Sequence, residues 1–482
     1  MFKFCDKAID IASSRKVTFG DIRIIASRSQ ELAVKNGEIG GLDDSRTLGF
    51  GVRILHKGSW GFASSSELSE KEIERVTELA VKIAEASATL KKEDVRMAPE
   101  EVYRDKWQTP CLIDPFSVSI DQKLKLLFAV DAELRKSPKI KSAVSDMWSV
   151  REHQFHATTE GSRIEQVLLS TGAGYSADAV ENGEVQTRSY PCTHGGQCLA
   201  MGYELIESLR LPENAQRVRE EAVALLTAPE CPSGKMDIII GGNQMALQIH
   251  ESVGHAAELD RVLGYEESYA GSSFATVEKY GNFRYGSPLV NLVADATLPG
   301  GLATAGFDDD GVRAQRWHIV REGILRGYMT NREFCRAAGE ERSRGCNRAD
   351  GFGNIPITRI CNLSLMPGNW ELDALIADTK EGIIMDNNRS WSIDQKRLNF
   401  QFGSETGWLI KNGKKAGMVR NPNYQGITPE FWNSCDAICN SRHWRLWGVA
   451  NCGKGQPSQT AKMCHGSSPA RFRNVTVGVK SS

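Results

Sequence analysis

The sequence predicts an α+β protein: an N-terminal antiparallel sheet with helices on one face, followed by a mostly antiparallel β domain that carries a metal-site helix. Three observations predict it. Apolar runs punctuated by Gly, Asn and Asp fill residues 31 to 66, amphipathic runs of helical period follow, and beyond residue 288 nearly every apolar run is short and bounded by turn residues.

The first stretch, "ELAVKNGEIGGLDDSRTLGFGVRILHKGSWGFASSS", alternates as hairpin strands do. Two helices are expected next. "ELSEKEIERVTELAVKIAEASATL" places Ile73, Val76, Leu79 and Ile83 on one stripe, and "SIDQKLKLLFAVDAELRK" places Leu124, Leu127 and Val130 on another. A strand-rich stretch from about 140 to 205 precedes the charged helix "PENAQRVREEAVALLTA". "PECPSGK" then breaks the pattern with two prolines and a glycine, which sets a domain boundary near 228 to 235: residues 1–230 form an α+β domain and residues 231–482 a β-rich one.

The second domain opens with "MDIIIGG", a buried strand, and "NQMALQIHESVGHAAELDRVLG", a helix for which Asn243 is the expected N-cap. "PLVNLVADATLPGG", "WHIVREGILRGYMT", "TRICNLSLMPG", "GWLIKNGKKAGMV" and "RFRNVTVG" follow as strands, with "REG" and "KNGKK" as hairpin loops. Only 370 to 380 and 429 to 440 read as further helix.

A chain of 482 residues, 40% of them hydrophobic, buries a large core in two or three domains. Its 59 basic and 60 acidic side chains give a net charge of -1, so charge offers no reason to expect nucleic acid or an anionic membrane as partner. No run of about 18 apolar residues spans a bilayer, and "MFKFCDKAIDIASSRK" lacks the apolar core and cleavage site of a secretory signal, which points to the cytoplasm. The 12 cysteines are scattered and are expected to be reduced packing residues.

The chemistry concentrates in "IHESVGHAA", residues 249 to 257. The zinc-peptidase pattern H-E-x-x-H spaces its histidines four apart, on one helix face, with the Glu as general base. His250 and His255 are five apart. At about 100° per residue they diverge by roughly 140° in an ideal helix and could not share one ion. A π-bulge would bring them together, and Gly254 inside the helix, about 1 kcal/mol less favourable than Ala, suggests such a distortion or a close approach by another backbone.

Two histidines do not complete a zinc site, which takes three protein ligands even when water fills the fourth position. Cys452 in "NCGKGQP" is the best third donor, because its flanking glycines permit a tight, exposed turn. Cys464 and His465 would point to opposite faces if extended, so at most one of them could contribute. His153, His156, His318 and His443 read as structural, and Trp432, Trp444 and Trp447 as packing residues.

On "GFGVRILHKGSWGFASS", "HESVGHAAELD", "FDDDGVRAQRWHIVREGILRGYM", "PITRICNLSLMPG", "GSETGWLIKNGKK" and "NCGKGQP" the chain resembles the TldD/PmbA metallopeptidases, also called modulators of DNA gyrase, over nearly its whole length. The resemblance implies the catalytic TldD-like type, with His250, His255 and Cys452 as ligands of Zn2+ and Glu251 as base. It also implies extended, unfolded peptides as substrates and a homodimer or a heterodimer with a paralogue. "HAAELD" departs from the family's usual glycines but keeps Asp260. "FDDDG" matches an acidic turn of the family, and Asp308 to Asp310, lacking calcium-loop spacing, are expected in a solvated turn or strained hairpin.

The reading is therefore a zinc metallopeptidase. The rival is a non-enzymatic peptide-binding or modulator subunit of a TldD/PmbA-type complex, against which the intact His, Glu and Cys set argues.

Overall fold

Alternation along β1 (Phe19–Lys35) assigns the two faces of the N-terminal sheet. Ile22, Ile24, Leu32 and Val34 point one way, into apolar cores, while Asp21 and Arg23 point the other. β1 turns into β2 (Glu38–His56) through Asn36 and Gly37, both at positive φ as a two-residue type I′ turn requires. β2 turns into β3 (Ser59–Ser65) in the same way, through Lys57 and Gly58. β4 (Arg104–Gln108), β5 (Ile140–Thr158), β6 (Arg163–Glu181), β7 (Glu184–Tyr190) and β8 (Gln197–Leu199) complete the sheet. Its order is β3-β2-β1-β5-β6-β4, with β7 and β8 also on β6, and only β4 runs parallel to its neighbour. The computed structural model describes residues 1–193 and 195–478.

α1 (Phe2–Ser14) and α2 (Glu70–Ser87) cover Ile22, Ile24, Phe50 and Val52. On the same face α3 (Ile120–Leu134) and α5 (Leu211–Leu225), the latter preceded by the short α4 (Glu204–Leu209), cover Leu32, Val34 and Met147. The buried stripe of α2 is Ile73, Val76, Ala80 and Ala84, with Thr77 and Val81 beside it. Leu79, about 120° from Ile73 around the axis, is 38% exposed, so the stripe read from the largest side chains was rotated from the true one.

The second half begins with β9 (Gly234–Ile240) and α6 (Gly242–Ile249). Gly241 in extended conformation is the N-cap, without a side-chain bond. Asn243 instead accepts the backbone N–H of Asn388, so it is not the cap. After α7 (Leu259–Val262), β10 (Leu292–Asp295), β11 (Arg316–Arg321) and β12 (Ile324–Leu325) are followed by the small pair β13 (Asn347–Arg348) and β14 (Ile357–Thr358) and by β15 (Leu363–Leu365). Strands β12-β11-β10-β15 form one antiparallel sheet. α8 (Leu372–Asp378) leads to β16 (Glu381–Ile393), β17 (Asn399–Lys411), β18 (Lys414–Val419) and β19 (Asn423–Ile427). α9 (Thr428–Asn433) then gives way to β20 (Cys435–Ile438), so the helix expected over 429 to 440 ends early. Cys435 and Ile438 bury themselves against the last strand instead. β21 (Arg445–Lys454), β22 (Gln459–Ser467) and β23 (Ala470–Val477) end the described chain.

Pairing in this half returns on itself: β9, β16, β17, β19 and β23 neighbour one another in turn, and β23 pairs back to β9. A closed ladder of this kind leaves no free edge within the ring. Ile238, Ile240, Ile383, Met385, Phe402, Tyr424 and Phe472 from its strands belong to the largest apolar core, which also takes in α6 and Trp432.

The acidic turn joins the halves. Asp308, Asp309 and Asp310 are all buried, contrary to the solvated turn that their composition suggests. Arg23 meets Asp309 at 3.3 Å, Gln154 donates to Asp309 at 2.6 Å, and Arg53 meets Asp310 at 2.8 Å. These partners lie on the sheet face opposite the helices, where the sequence alternation placed Asp21 and Arg23. Burial pushes the Asp21 carboxyl up, but the Arg53 guanidinium and His156 outweigh it and hold it at about 2. Leaving such a buried charge unpaired costs about 3–5 kcal/mol, which fixes the second half against the first.

Candidate metal centre

The extra residue in "HESVGH" is absorbed as the geometry requires. His250 to Gly254 form a single π-helical turn, closed by the His255 N–H donating to the His250 carbonyl five residues back. The two imidazoles stand edge to face with centroids 4.8 Å apart. Groups freed by the wider turn are satisfied from outside the helix: the Tyr285 hydroxyl donates to the Ser252 carbonyl, and Trp432 Nε1 donates to Ser252 Oγ at 3.0 Å. Gly254 lets the Ile360 side chain approach closely: a Cβ there would lie 2.8 Å from Ile360 Cδ1 and would make that side chain shift. The approaching group is a side chain, not another backbone.

Cys452 reaches this turn from β21. It is 5% exposed and lies within the strand, so the exposed glycine turn expected for it is not what positions it. The β21–β22 register shifts by one residue between Val449 and Cys452, a bulge that re-aims the side chain. Cys452 Sγ then faces His255 Nε2 at 3.4 Å. One donor atom from each of His250, His255 and Cys452 lies within 4.8 Å of the others, and all three residues are buried.

Surrounding groups set the tautomers. The Leu363 carbonyl accepts from His465 Nδ1 at 2.9 Å, which leaves His465 Nε2 as an acceptor for the Nδ1–H of His250 at 2.8 Å. His250 Nε2 is thereby left with its lone pair. His255 donates its Nδ1–H to Glu258 at 2.8 Å, and its Nε2 is left for the thiol side. Donation of the second ring N–H to a carbonyl or carboxylate is the arrangement that orients metal-ligating histidines. Burial pushes His250 and His465 toward the neutral form, while at His255 burial is outweighed by Cys452 and Glu258, which raise it. A metal ion takes the imidazole neutral and so displaces the proton those neighbours favour; two imidazoles and a thiol are the donor chemistry of a zinc site.

Glu251 is buried beside this cluster and paired with Arg397. Burial raises its carboxyl, but His255, His250 and Arg397 outweigh that and hold it below the usual range. Glu258 in turn meets Lys454 at 3.3 Å, and Lys454 meets Asp260 at 2.7 Å, all three buried. Cys464 stands apart: its Sγ accepts from the Leu302 N–H at 3.2 Å, and burial pushes its thiol well up.

Sequence reasoning missed His465 as the group orienting His250, and it missed Glu258, Lys454 and Arg397. Glu258 follows His255 by three, a helical contact spacing that could have been read. Lys454 follows Cys452 by two on one strand face. Arg397 carried no signal. Replacing His465 by Gln is expected to weaken zinc binding about 10–100-fold, the usual cost of losing such a group, measured by competition with a chromogenic chelator. Unchanged affinity would show that His465 does not orient the ligand.

Fold and cluster together describe an α+β protein with a buried three-donor set of the kind that holds a catalytic metal ion. Three family models match in succession: PmbA/TldA metallopeptidase domain 1 over residues 20–84, the central domain over 113–226 and the C-terminal domain over 233–478. The chain belongs to the PmbA/TldA metallopeptidase family. A metalloprotease of Methanocaldococcus jannaschii is 30% identical over 90% of this chain and 92% of its own length. A zinc metalloprotease TldD homolog of Saccharolobus solfataricus is 21% identical over 99% of each chain. Among solved structures, TldE from Thermococcus kodakarensis shares the fold with a TM-score of 0.76 at 15% identity, over 98% of this chain and 99% of its own. No helix among the described residues is long and apolar enough to cross a membrane.

Proposed function

We propose that the protein is a zinc-dependent peptidase acting on unfolded or unstructured peptides, with His250, His255 and Cys452 as ligands and Glu251 as general base. The observation that carries it is the π-turn, which brings the two imidazoles together where the Cys452 thiol, aimed by the bulge in the β21–β22 ladder, comes within 3.4 Å of His255 Nε2. Zinc is the metal of choice because thiolate and imidazole are poor donors for magnesium or calcium. It is also the metal named for one relative. In this reading residues 231–482 are the peptidase domain and residues 1–230 the scaffold it docks on.

When bound, zinc supplies Lewis-acid polarisation and water activation. Glu251, held ionised by its neighbours, accepts the proton of the attacking water and returns it to the leaving amine. Arg397 fixes the direction of that carboxylate. The pair Glu258 and Lys454 fixes the His255 ring, and His465 fixes the His250 ring. An extended peptide is bound by strand addition, whose main-chain hydrogen bonds ignore sequence. The working form is a dimer, with a second copy or with a paralogue of the TldE kind.

A chelator is expected to abolish cleavage of a casein-like unfolded substrate and stoichiometric zinc to restore it, with a tightly folded substrate uncut throughout. Chelator-resistant cleavage, or preference for the folded substrate, would sink the reading.

A further inference from the structure

A cavity of about 230 Å³ is walled on one side by Gly455 and Gln456, in the turn that follows the strand bearing Cys452. Its polar lining is mostly acceptors. Asp260, Asp310 and Glu333 contribute three carboxylates, against one lining cation, Arg53, which is already paired with Asp21 at 2.5 Å and Asp310 at 2.8 Å. Glu333 makes no ion pair among the described residues. Its one side-chain bond is accepted from Trp60 Nε1 at 2.9 Å, and burial raises its carboxyl. Two lining residues, Asn347 and Thr358, 2% and 0% exposed, each leave a side-chain oxygen without a hydrogen-bond partner, Asn347 Oδ1 and Thr358 Oγ1. Native interiors rarely leave such atoms unpaired. Met97, Tyr265 and Phe334 supply an apolar wall, with the Tyr265 and Phe334 rings 4.5 Å apart.

We propose that this cavity is a substrate subsite for an alkylammonium or guanidinium group, supplied by a Lys or Arg side chain of the peptide or by its free α-amine. The apolar wall takes the methylene stem and the acceptors take the charged head, the division by which such side chains are buried. Glu333 is the specificity residue, because it is the lining carboxylate without a cationic partner. Gly455 on the cavity wall follows Cys452 by three residues, at most about 11 Å along the chain. The bound cation therefore belongs within about three residues of the scissile bond. The proposal rests on the peptidase reading for its substrate, but not for the existence of the site.

Glu333→Gln removes the charge and keeps the shape. Calorimetric titration with n-butylguanidinium and n-butylammonium is expected to show binding to the wild type and at least tenfold weaker binding to the variant. Equal binding to both proteins, or none to the wild type, overturns the subsite. In parallel, N-acetylated unfolded peptides carry one Arg or one norleucine at each of four positions on either side of the cleaved bond. The wild type is expected to prefer Arg at one register by about tenfold in kcat/KM. Glu333→Gln should abolish that preference, so that the variant no longer distinguishes Arg from norleucine at that register; a preference that persists overturns the assignment. Preference that appears only in non-acetylated peptides assigns the site to the α-amine. If the wild type cleaves no peptide, the peptidase reading falls and the titration alone decides the cavity.

Discussion

Glu251→Gln is expected to keep stoichiometric zinc while hydrolysis of an unfolded peptide falls by about 10²–10⁴-fold, the span that a positioned general base contributes. The amide preserves the shape of the carboxylate and keeps an acceptor oxygen for Arg397, which would otherwise be a guanidinium left 14% exposed without its partner. Structure and metal content should therefore survive, and the loss should fall on kcat with little change in KM, since the proton moves only as the bond breaks. Zinc content by atomic emission and single-turnover cleavage together make the test. Undiminished turnover in the variant would remove Glu251 from the mechanism. Loss of zinc along with activity would instead make it a metal-site residue.

Cys452→Ala is expected to lose zinc altogether, whereas Cys464→Ala should retain it. The two thiols differ in what they face. Cys452 Sγ is 3.4 Å from His255 Nε2 and shares the donor cluster, while Cys464 Sγ accepts a backbone N–H from Leu302 and lies near the Cys198 carbonyl. The variant left with two imidazoles falls short of the three protein ligands a catalytic zinc site uses. Its melting temperature should stop responding to chelator, because there is no longer an ion whose binding stabilises the fold. Should Cys464→Ala alone shed the ion, the third ligand is misassigned.

Much of this was legible in the amino acids. The hairpins were written in dipeptides such as Asn36-Gly37 and Asn412-Gly413, whose positive φ values the turns demand. The π-turn followed from arithmetic, because two histidines five positions apart cannot converge in a regular helix. What failed did so for tertiary reasons. Leu79 lost its place on the α2 stripe to Ala80 and Ala84, since close packing of α2 on β3 favours small residues: at Gly61 of β3 a Cβ would lie 2.1 Å from the Ala80 carbonyl. Asp308 to Asp310 look solvated until Arg23 and Arg53, more than 250 residues away in sequence, arrive from the opposite sheet. Cys452 was chosen for its glycines, yet a bulge in the β21–β22 ladder aims it, and pairing register is invisible without the partner strand.

That ladder has a consequence for when proteolytic capacity could arise during synthesis. His250 and His255 become neighbours as soon as one turn of helix forms, but Cys452 is aimed by pairing with Ala461 on β22. A ribosome that has delivered both histidines must still deliver about 200 further residues before the thiol is aimed at them. Until then the nascent chain has two of three donors and, in the proposed mechanism, no means of holding zinc at catalytic strength. On the proposed reading, a peptidase for unfolded polypeptide is thereby kept inert while it is itself unfolded.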